Sequence, residues 1–594
     1  MKKLLSLVLL LAVMLGSVAV LSSCGTPDDN GAQINVYLGE GVYDLDPSDY
    51  YVSDNAAQLL SLIYEPLFRL TEKGKLECAA ADDYEVDEDK RLITVTLKET
   101  YWSDGTRVKA EDFVYAWRDV ILTPDNASPA AALFYDIENA LEVKGGAPIN
   151  SFGVVPRVYD LEITYREGAD YEQLLRNLAS IATAPVRQDV ANLAPEHWSK
   201  SADTIVTNGP FSVKSVDYAR GEDSECGALV LERNLGYHQS PNAKDFDNNV
   251  RPHRLSTTFG VGDKTVSVSY DDLVNKTVFY LGDASLAERA ANKGNAVVGD
   301  LASTYTYIFN TEKKPFDDKN VRLALSIALD RAEIIEAITF GKAASGLLPE
   351  FSCETLGDRQ ALISADDELT RAQGLIDAAN LSAADMKFTL TVSADEESVA
   401  IAEKAKTAWE ALGFEVTVKA VDFVDTVVDD KTSGKISVYD SAMQYYVKGA
   451  ANSGKCGFDI IGIDLQTYSD DGFVALSQFS SEMNGNGVAF VDDEEKELNV
   501  NKPVRKGALG GWSNKDYDKL IKEAYEATDK DVREEKLKEA EKILVNEAPV
   551  IPVVFNQSFA FVSKDLKKID FDGFGNFVFS DAKLKNYQDY LEEK

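Results

Sequence analysis

Alternation of apolar and polar positions marks out much of this chain. In RLITVTLK (Arg91 to Lys98), Ile93, Val95 and Leu97 recur at every second position, which predicts a half-buried strand. INVYL (Ile34 to Leu38), Ser212 to Val216, Leu229 to Glu232 and TYTYIFN (Thr304 to Asn310) read as strands in the same way. VIPVVF (Val550 to Phe555) is apolar throughout and predicts a buried strand. Helical spacing alternates with these segments. Ala56, Leu59, Leu60 and Ile63 share one face, and Asp112 to Val120 is amphipathic behind the turn SDG at Ser103 to Gly105. Val321, Leu325, Ala328, Ala332 and Ile335 form a stripe that predicts one helix, capped by Asp317 or Asp318 and stopped near Gly341. Lys387 to Val392, Glu396 to Leu412 and Phe414 to Val418 read as strand, helix and strand. That order predicts a right-handed crossover in a largely parallel sheet. Asp531 to Asn546 is a helix with Leu537, Ala540 and Leu544 inward, ended by Pro549. The whole pattern is that of a multi-lobed α/β protein.

The first residues follow a different rule. Lys2 and Lys3 precede an uncharged apolar run from Leu4 to Val20, and LSSCG follows at Leu21 to Gly25. This reads as a secretory signal of bacterial lipoprotein type, residues 1–23, and resembles the lipobox, in which the cysteine is lipidated. Cys24 is then the new, lipid-bearing N-terminus. An uncleaved anchor helix, or a plain signal with an incidental Cys24, are the alternatives. Residues 24–33, with the polar stretch TPDDNGAQ, read as a leash between lipid and folded body. No later apolar run is long enough to span a membrane.

Composition narrows the function by exclusion. A chain of 594 residues with 45% hydrophobic and 27% charged residues implies several globular domains. A net charge of −38 repels phosphate backbones, so nucleic acid is excluded as a partner. Cys78, Cys226, Cys353 and Cys456 lack paired spacing and are expected as free, mostly buried thiols. His197, His238 and His253 form no ligand pattern, so no metal or other cofactor is expected. There is no GxSxG, P-loop or GxGxxG motif, and NGNG at Asn484 to Gly487 reads as a turn. Acidic pairs such as Asp82/Asp83 and Asp470/Asp471 are expected as solvated faces in so acidic a chain. The 26 Tyr and 26 Phe suit core packing first, and a ligand cleft second.

Five blocks carry a resemblance. They are YDLDPSDYYVSDNAAQLLSLIYEPLFRL (Tyr43 to Leu70), ITVTLKETYWSDGTRVKAEDFVYAWRDV (Ile93 to Val120), NGPFSV with LERNLGYH (Asn208 to Val213, Leu231 to His238), YIFNTEKKPFDDKNVRLALSIALDRAEII (Tyr307 to Ile335), and YDKLIKEA through AEKILVNEAPVIPVVF (Tyr517 to Phe555). In this order they resemble the extracytoplasmic solute-binding proteins of the oligopeptide, dipeptide and nickel class that serve ABC importers. The resemblance implies a periplasmic-binding-protein-like fold of type II with three lobes, two of which enclose the ligand across a hinge. It places lobe I at 34–70, 205–300 and 556–594, lobe II at 71–204 and lobe III at 301–555. The Trp102 to Trp117 motifs are expected to hold lobe II together rather than to touch ligand.

The implied ligand contacts are Tyr51, Val52 and Ser53, with Asn310 as a lobe-crossing residue or a turn cap, and Asp464, Gln466 and Tyr468. Two departures stand out. In IGIDLQTYSDDGF (Ile461 to Phe473), Gln466 occupies the position of the aspartate that receives a peptide's ammonium, with Asp464 two residues earlier. Ala130 replaces a cleft tyrosine in the SPA stretch. Both weaken the expectation that a free peptide N-terminus is recognised. The implied function is a monomeric, membrane-tethered receptor on the extracytoplasmic face. It passes peptides to permease subunits powered by a cytosolic ATPase and catalyses nothing. A sensory receptor of the same fold and an exported hydrolase are the rivals.

Overall fold

The computed structural model describes residues 32–39, 44–48, 54–124, 126, 128–195, 197–217, 227–243, 248–259, 268–352, 361–421, 423–430, 434–441, 458–484 and 510–585. The signal, Cys24, most of the leash, Tyr51 to Ser53, and Cys226, Cys353 and Cys456 lie outside these residues. No helix among the described residues is long and apolar enough to cross a membrane. Cys78 is a free thiol, half-buried rather than buried.

One large mixed sheet organises the chain. Its strands lie in the order Glu415–Val421, Lys387–Ser393, Ile460–Gln466, Ala296–Phe309, Val550–Val562, Tyr280–Leu281, Gln33–Tyr37, Arg254–Phe259, Gly227–Arg233, Phe211–Asp217. The pair Lys387–Ser393 and Glu415–Val421 is parallel, as the intervening helix Glu396–Ala411 requires. The sheet as a whole is not largely parallel, which corrects the sequence expectation. Parallel pairing is confined to the neighbours of Lys387–Ser393 and of Gln33–Tyr37. Chain segments far apart in sequence meet at the centre, where the two longest strands, Ala296–Phe309 and Val550–Val562, run antiparallel.

That central pair is interrupted. Ala296 to Asp300 pair with Phe561 to Gln557, the register then shifts, and pairing resumes at Thr304 with Phe555. Asn556 fills the interruption by donating to Ser303 Oγ at 3.0 Å and to Asp464 Oδ1 at 2.7 Å.

A four-stranded antiparallel sheet, Ala81–Asp87, Leu92–Leu97, Asp160–Thr164 and Val154–Arg157, forms a separate layer. Ile93, Val95 and Leu97 are buried in it, as their alternation predicts. The adjoining WSDG turn has a structural role. The Trp102 indole donates to Asp112 Oδ2 at 3.0 Å, and the Lys109 backbone N–H donates to the same oxygen at 2.9 Å, so one carboxylate caps the helix and fixes the indole. That helix, Ala110–Val114, continues as a π-helix over Tyr115–Ile121.

The stripe from Val321 to Ile335 is two helices, not one. Asp318 caps Lys319–Ile327, as predicted, but Asp330 caps a second helix, Arg331–Ile338. The break re-phases the buried face. Val321, Leu325 and Ala328 are buried, Ala332 is exposed, and Ile334 and Ile338 replace it in the core.

Candidate functional site

A cavity of about 300 Å³ opens where the interrupted strands meet the end of the first described helix, Asp54–Ile63. Its walls come mainly from Ala57 to Thr71, Leu301 and Ala302, Gln466 and Tyr468, and Asp570 to Asp581, and are completed by Glu77, Ala79, Ala179, Ile181, Pro210 and Tyr237. Two of the residues singled out from sequence, Gln466 and Tyr468, meet there. Asp464 shares the face of Gln466, since side chains two apart on a strand point the same way, but it is engaged by Asn556 beside the cavity. Ile463 and Leu465 are buried on the opposite face. Asn310 lies at the far end of the same strand pair. It donates to Phe458 O at 3.2 Å and accepts from the Glu312 N–H, which makes it a turn cap there. Ala130 is buried at the start of the short helix Pro129–Phe134, which Ser128 caps.

The turn after Gln466 is fixed from several sides. Thr467 donates twice to Ala302 O, from N at 2.9 Å and from Oγ1 at 2.8 Å. Tyr468 then takes φ 61°, the left-handed region that a bulky residue enters only under constraint. Ser469 Oγ donates to Asn177 Oδ1 at 2.6 Å. Asp470 receives Gln173 Nε2 at 2.9 Å and Arg176 Nε at 2.6 Å. Asp471 caps Gly472–Ser477 through the Phe473 N–H and pairs with Arg533. Asp470 and Asp471 are therefore buried partners of arginines, not the solvated pair expected from composition. Burial holds the Asp471 carboxyl above its usual range, although Arg533 opposes the shift. This turn ties the strand carrying Gln466 to the helix Tyr171–Asn177 and to the helix Lys530–Glu547.

The opposite wall is the turn DGFGN, Asp572 to Asn576. Asp572 Oδ1 accepts the N–H groups of Phe574 and Asn576 at 2.9 and 2.8 Å, and Oδ2 accepts Asn576 Nδ2 at 3.0 Å. Gly575 has φ +85°, and a Cβ there would stand 2.2 Å from Asp300 O, so only glycine fits. The Gln58 side chain, on the first helix, clamps this segment by donating to Phe577 O and accepting from the Phe577 N–H. Burial raises the Asp572 carboxyl to about 6.

On two residues that line the cavity, a buried polar atom has no partner among the described residues: the Tyr64 hydroxyl, on a residue 2% exposed, and Asn576 Oδ1, on a residue 4% exposed. Next to Tyr64, Glu65 receives the Tyr237 hydroxyl and lies 2.6 Å from His238 Nε2. Burial would raise the Glu65 carboxyl, but His238 and Tyr237 together hold it below its usual range. In the sequence, Tyr64 and Glu65 stand out only as part of the Tyr43 to Leu70 block, and Asp572 and Asn576 fall in none of the blocks. Two glycines within five residues of DGFGN were the available signal of a constrained turn. No group of acidic, histidine or cysteine side chains that could hold a metal ion occurs among the described residues.

Comparison with known proteins agrees with this architecture. The chain is 24% identical over 610 residues to the oligopeptide-binding protein OppA of Bacillus subtilis, covering 98% of this chain and 100% of the relative. It is 25% identical over 526 residues to the dipeptide-binding protein DppE of the same organism, covering 86% and 84%. Among solved structures it resembles the Escherichia coli murein tripeptide binding protein MppA, with TM-score 0.71 at 22% identity over 93% of this chain and 98% of that one. It also resembles the pheromone receptor PrgZ, with TM-score 0.73 at 21% identity over 94% and 100%. These likenesses identify the fold as the type II periplasmic-binding-protein fold. Residues 75–453 match the family described as "Bacterial extracellular solute-binding proteins, family 5 Middle". That span is more than half of the sequence, and the chain therefore belongs to the bacterial extracellular solute-binding proteins of family 5.

Proposed function

We propose that this chain is a lipid-anchored receptor that captures oligopeptides outside the cell membrane and delivers them to an ABC permease driven by a cytosolic ATPase. The observation that carries the reading is the end-to-end similarity to an oligopeptide-binding protein. Lobe I, 34–70, 205–300 and 556–594, and lobe III, 301–555, close on the ligand, while 71–204 forms lobe II. The interruption in the central strand pair is the hinge. Tyr51, Val52 and Ser53 offer backbone groups to an extended peptide, and Gln466 and Tyr468 stand at one end of the ligand. The protein works as a monomer and performs no chemistry on its cargo.

A peptide with a micromolar dissociation constant is expected to stabilise the protein by roughly 2.7 kcal/mol at a hundredfold excess over that constant. Thermal unfolding across a peptide library reads this directly. Because Gln466 is neutral, acetylating the N-terminus of a bound peptide is expected to change its affinity less than tenfold. A library without hits overturns the peptide reading, and cleaved peptides at stoichiometric protein overturn the absence of catalysis. Loss of peptide uptake on deletion of the gene separates import from sensing alone.

The anchor rests on LSSC behind an uncharged apolar run. Cys24→Ser is expected to release the protein from membranes or to leave it unprocessed. A variant that fractionates and migrates like wild type refutes the anchor.

A further inference from the structure

The cavity beside Gln466 has a chemical bias that peptide capture in general does not explain. Five carboxylates line it, Glu65, Glu77, Asp570, Asp572 and Asp581, against one guanidinium, Arg69. Arg69 and Lys75 already pair with Glu77 and Arg251 with Asp581, while Glu65 lies 2.6 Å from His238 Nε2, so Asp570 and Asp572 are the carboxylates not offset by a cation in these pairs. What is left over is negative.

The unpartnered atoms add direction. Asn576 cannot turn its amide round freely, because its Nδ2 is committed to Asp572 Oδ2. Its Oδ1 therefore stays presented as an acceptor, buried and unpartnered. A buried carbonyl without a donor is destabilising, so a donor from the ligand recovers that loss. The Tyr64 hydroxyl, also unpartnered, can accept a second hydrogen. Phe571, Phe574, Phe577 and Phe579 also line it, beside aliphatic residues such as Leu62, Leu70 and Leu301. Flat apolar faces around a polar end suit an aliphatic stem with a cationic head.

We propose that this cavity is a subsite for the side chain of a lysine or arginine in the bound peptide, with Asn576 and Tyr64 receiving its N–H groups and Asp572 supplying the negative charge. The proposal rests on the peptide reading above. A peptide's own terminal ammonium has the same head chemistry but no stem to cover the aromatic rings.

The test uses N-acetylated alanine pentapeptides with a single lysine at each position in turn, against the same series with norleucine. Titration calorimetry on the wild-type protein needs no variant. At one position, lysine is expected to bind at least tenfold more tightly than norleucine. Asp572→Asn is expected to cut that ratio at least fivefold. It removes the charge and lets the Asn576 amide reverse, so that NH₂ rather than oxygen faces the cavity. A wild-type ratio below tenfold at every position overturns the subsite, as does a ratio that Asp572→Asn leaves unchanged. If instead Asp572→Asn abolishes a difference between free and acetylated norleucine peptides, the cavity serves the terminus and the side-chain assignment is wrong. If no peptide of any series or library binds, the peptide reading itself has failed.

Discussion

Replacing Asp471 by alanine is expected to lower the free energy of unfolding by about 3–5 kcal/mol, the range for breaking a buried ion pair from one side. Asp471 is 3% exposed, and its partner Arg533 stacks over Phe473, with Cζ 4.9 Å from the ring centroid. Without the carboxylate, the guanidinium stays in a poorly solvated site and keeps, among the described residues, one hydrogen bond, to Ala524 O at 3.2 Å. The same substitution removes the cap of Gly472–Ser477, itself worth about 1 kcal/mol. Asp471→Asn keeps the cap oxygen and loses only the charge, so it is expected to cost less than alanine. Urea unfolding of the three proteins gives the order. An alanine variant within 1 kcal/mol of wild type contradicts the argument.

Arg331→Ala is expected to cost a similar amount, about 3 kcal/mol or more, for a different reason. Arg331 is fully buried, and its hydrogen bonds go to neutral oxygens: Pro552 O at 2.9 Å, Ser326 O at 3.2 Å, and longer contacts to Leu329 O and Ser326 Oγ. Burial pushes its pKa down to about 10. Pro552 sits at a second register shift of the central strands, between Tyr305 and Thr306, and Arg331 supplies the donor its carbonyl needs. Alanine removes this donor from the Pro552 carbonyl, at about 1–3 kcal/mol, and opens a void. Arg331→Met fills most of the void but restores no donor. A methionine variant that unfolds at the wild-type urea concentration shows that the hydrogen bonds are immaterial.

How far the fold could be read in advance follows from how local its causes are. The strand Leu92–Leu97, the crossover from Lys387 to Val421 and the helix Lys530–Glu547 depend on periodicity within one segment, and they stand where the pattern places them. The WSDG turn and its capped helix are likewise local. The break at Ala328 to Asp330 was written in the chain, as Asp330 three residues before Glu333, but the apolar stripe ran on across it. A repeat of three and four residues does not by itself distinguish one helix from two that share a core.

The candidate site divides in the same way. Sequence by itself determined that Gln466 stands where an acidic residue was expected, because that is a matter of identity and order. It also fixed the large negative charge and the composition of the DGFGN turn. Only the tertiary structure decided that residues 64, 466, 572 and 576 share one cavity, since they come from three distant stretches of chain. It alone decided that Asp470 and Asp471, two carboxylates among 99 acidic residues, are buried against Arg176 and Arg533. A charge's cost depends on what surrounds it, and those surroundings are assembled by pairing between segments remote in sequence. The interruption between Ala296–Phe309 and Val550–Val562 belongs to the same class. It is a property of two strands together, and neither strand encodes it alone.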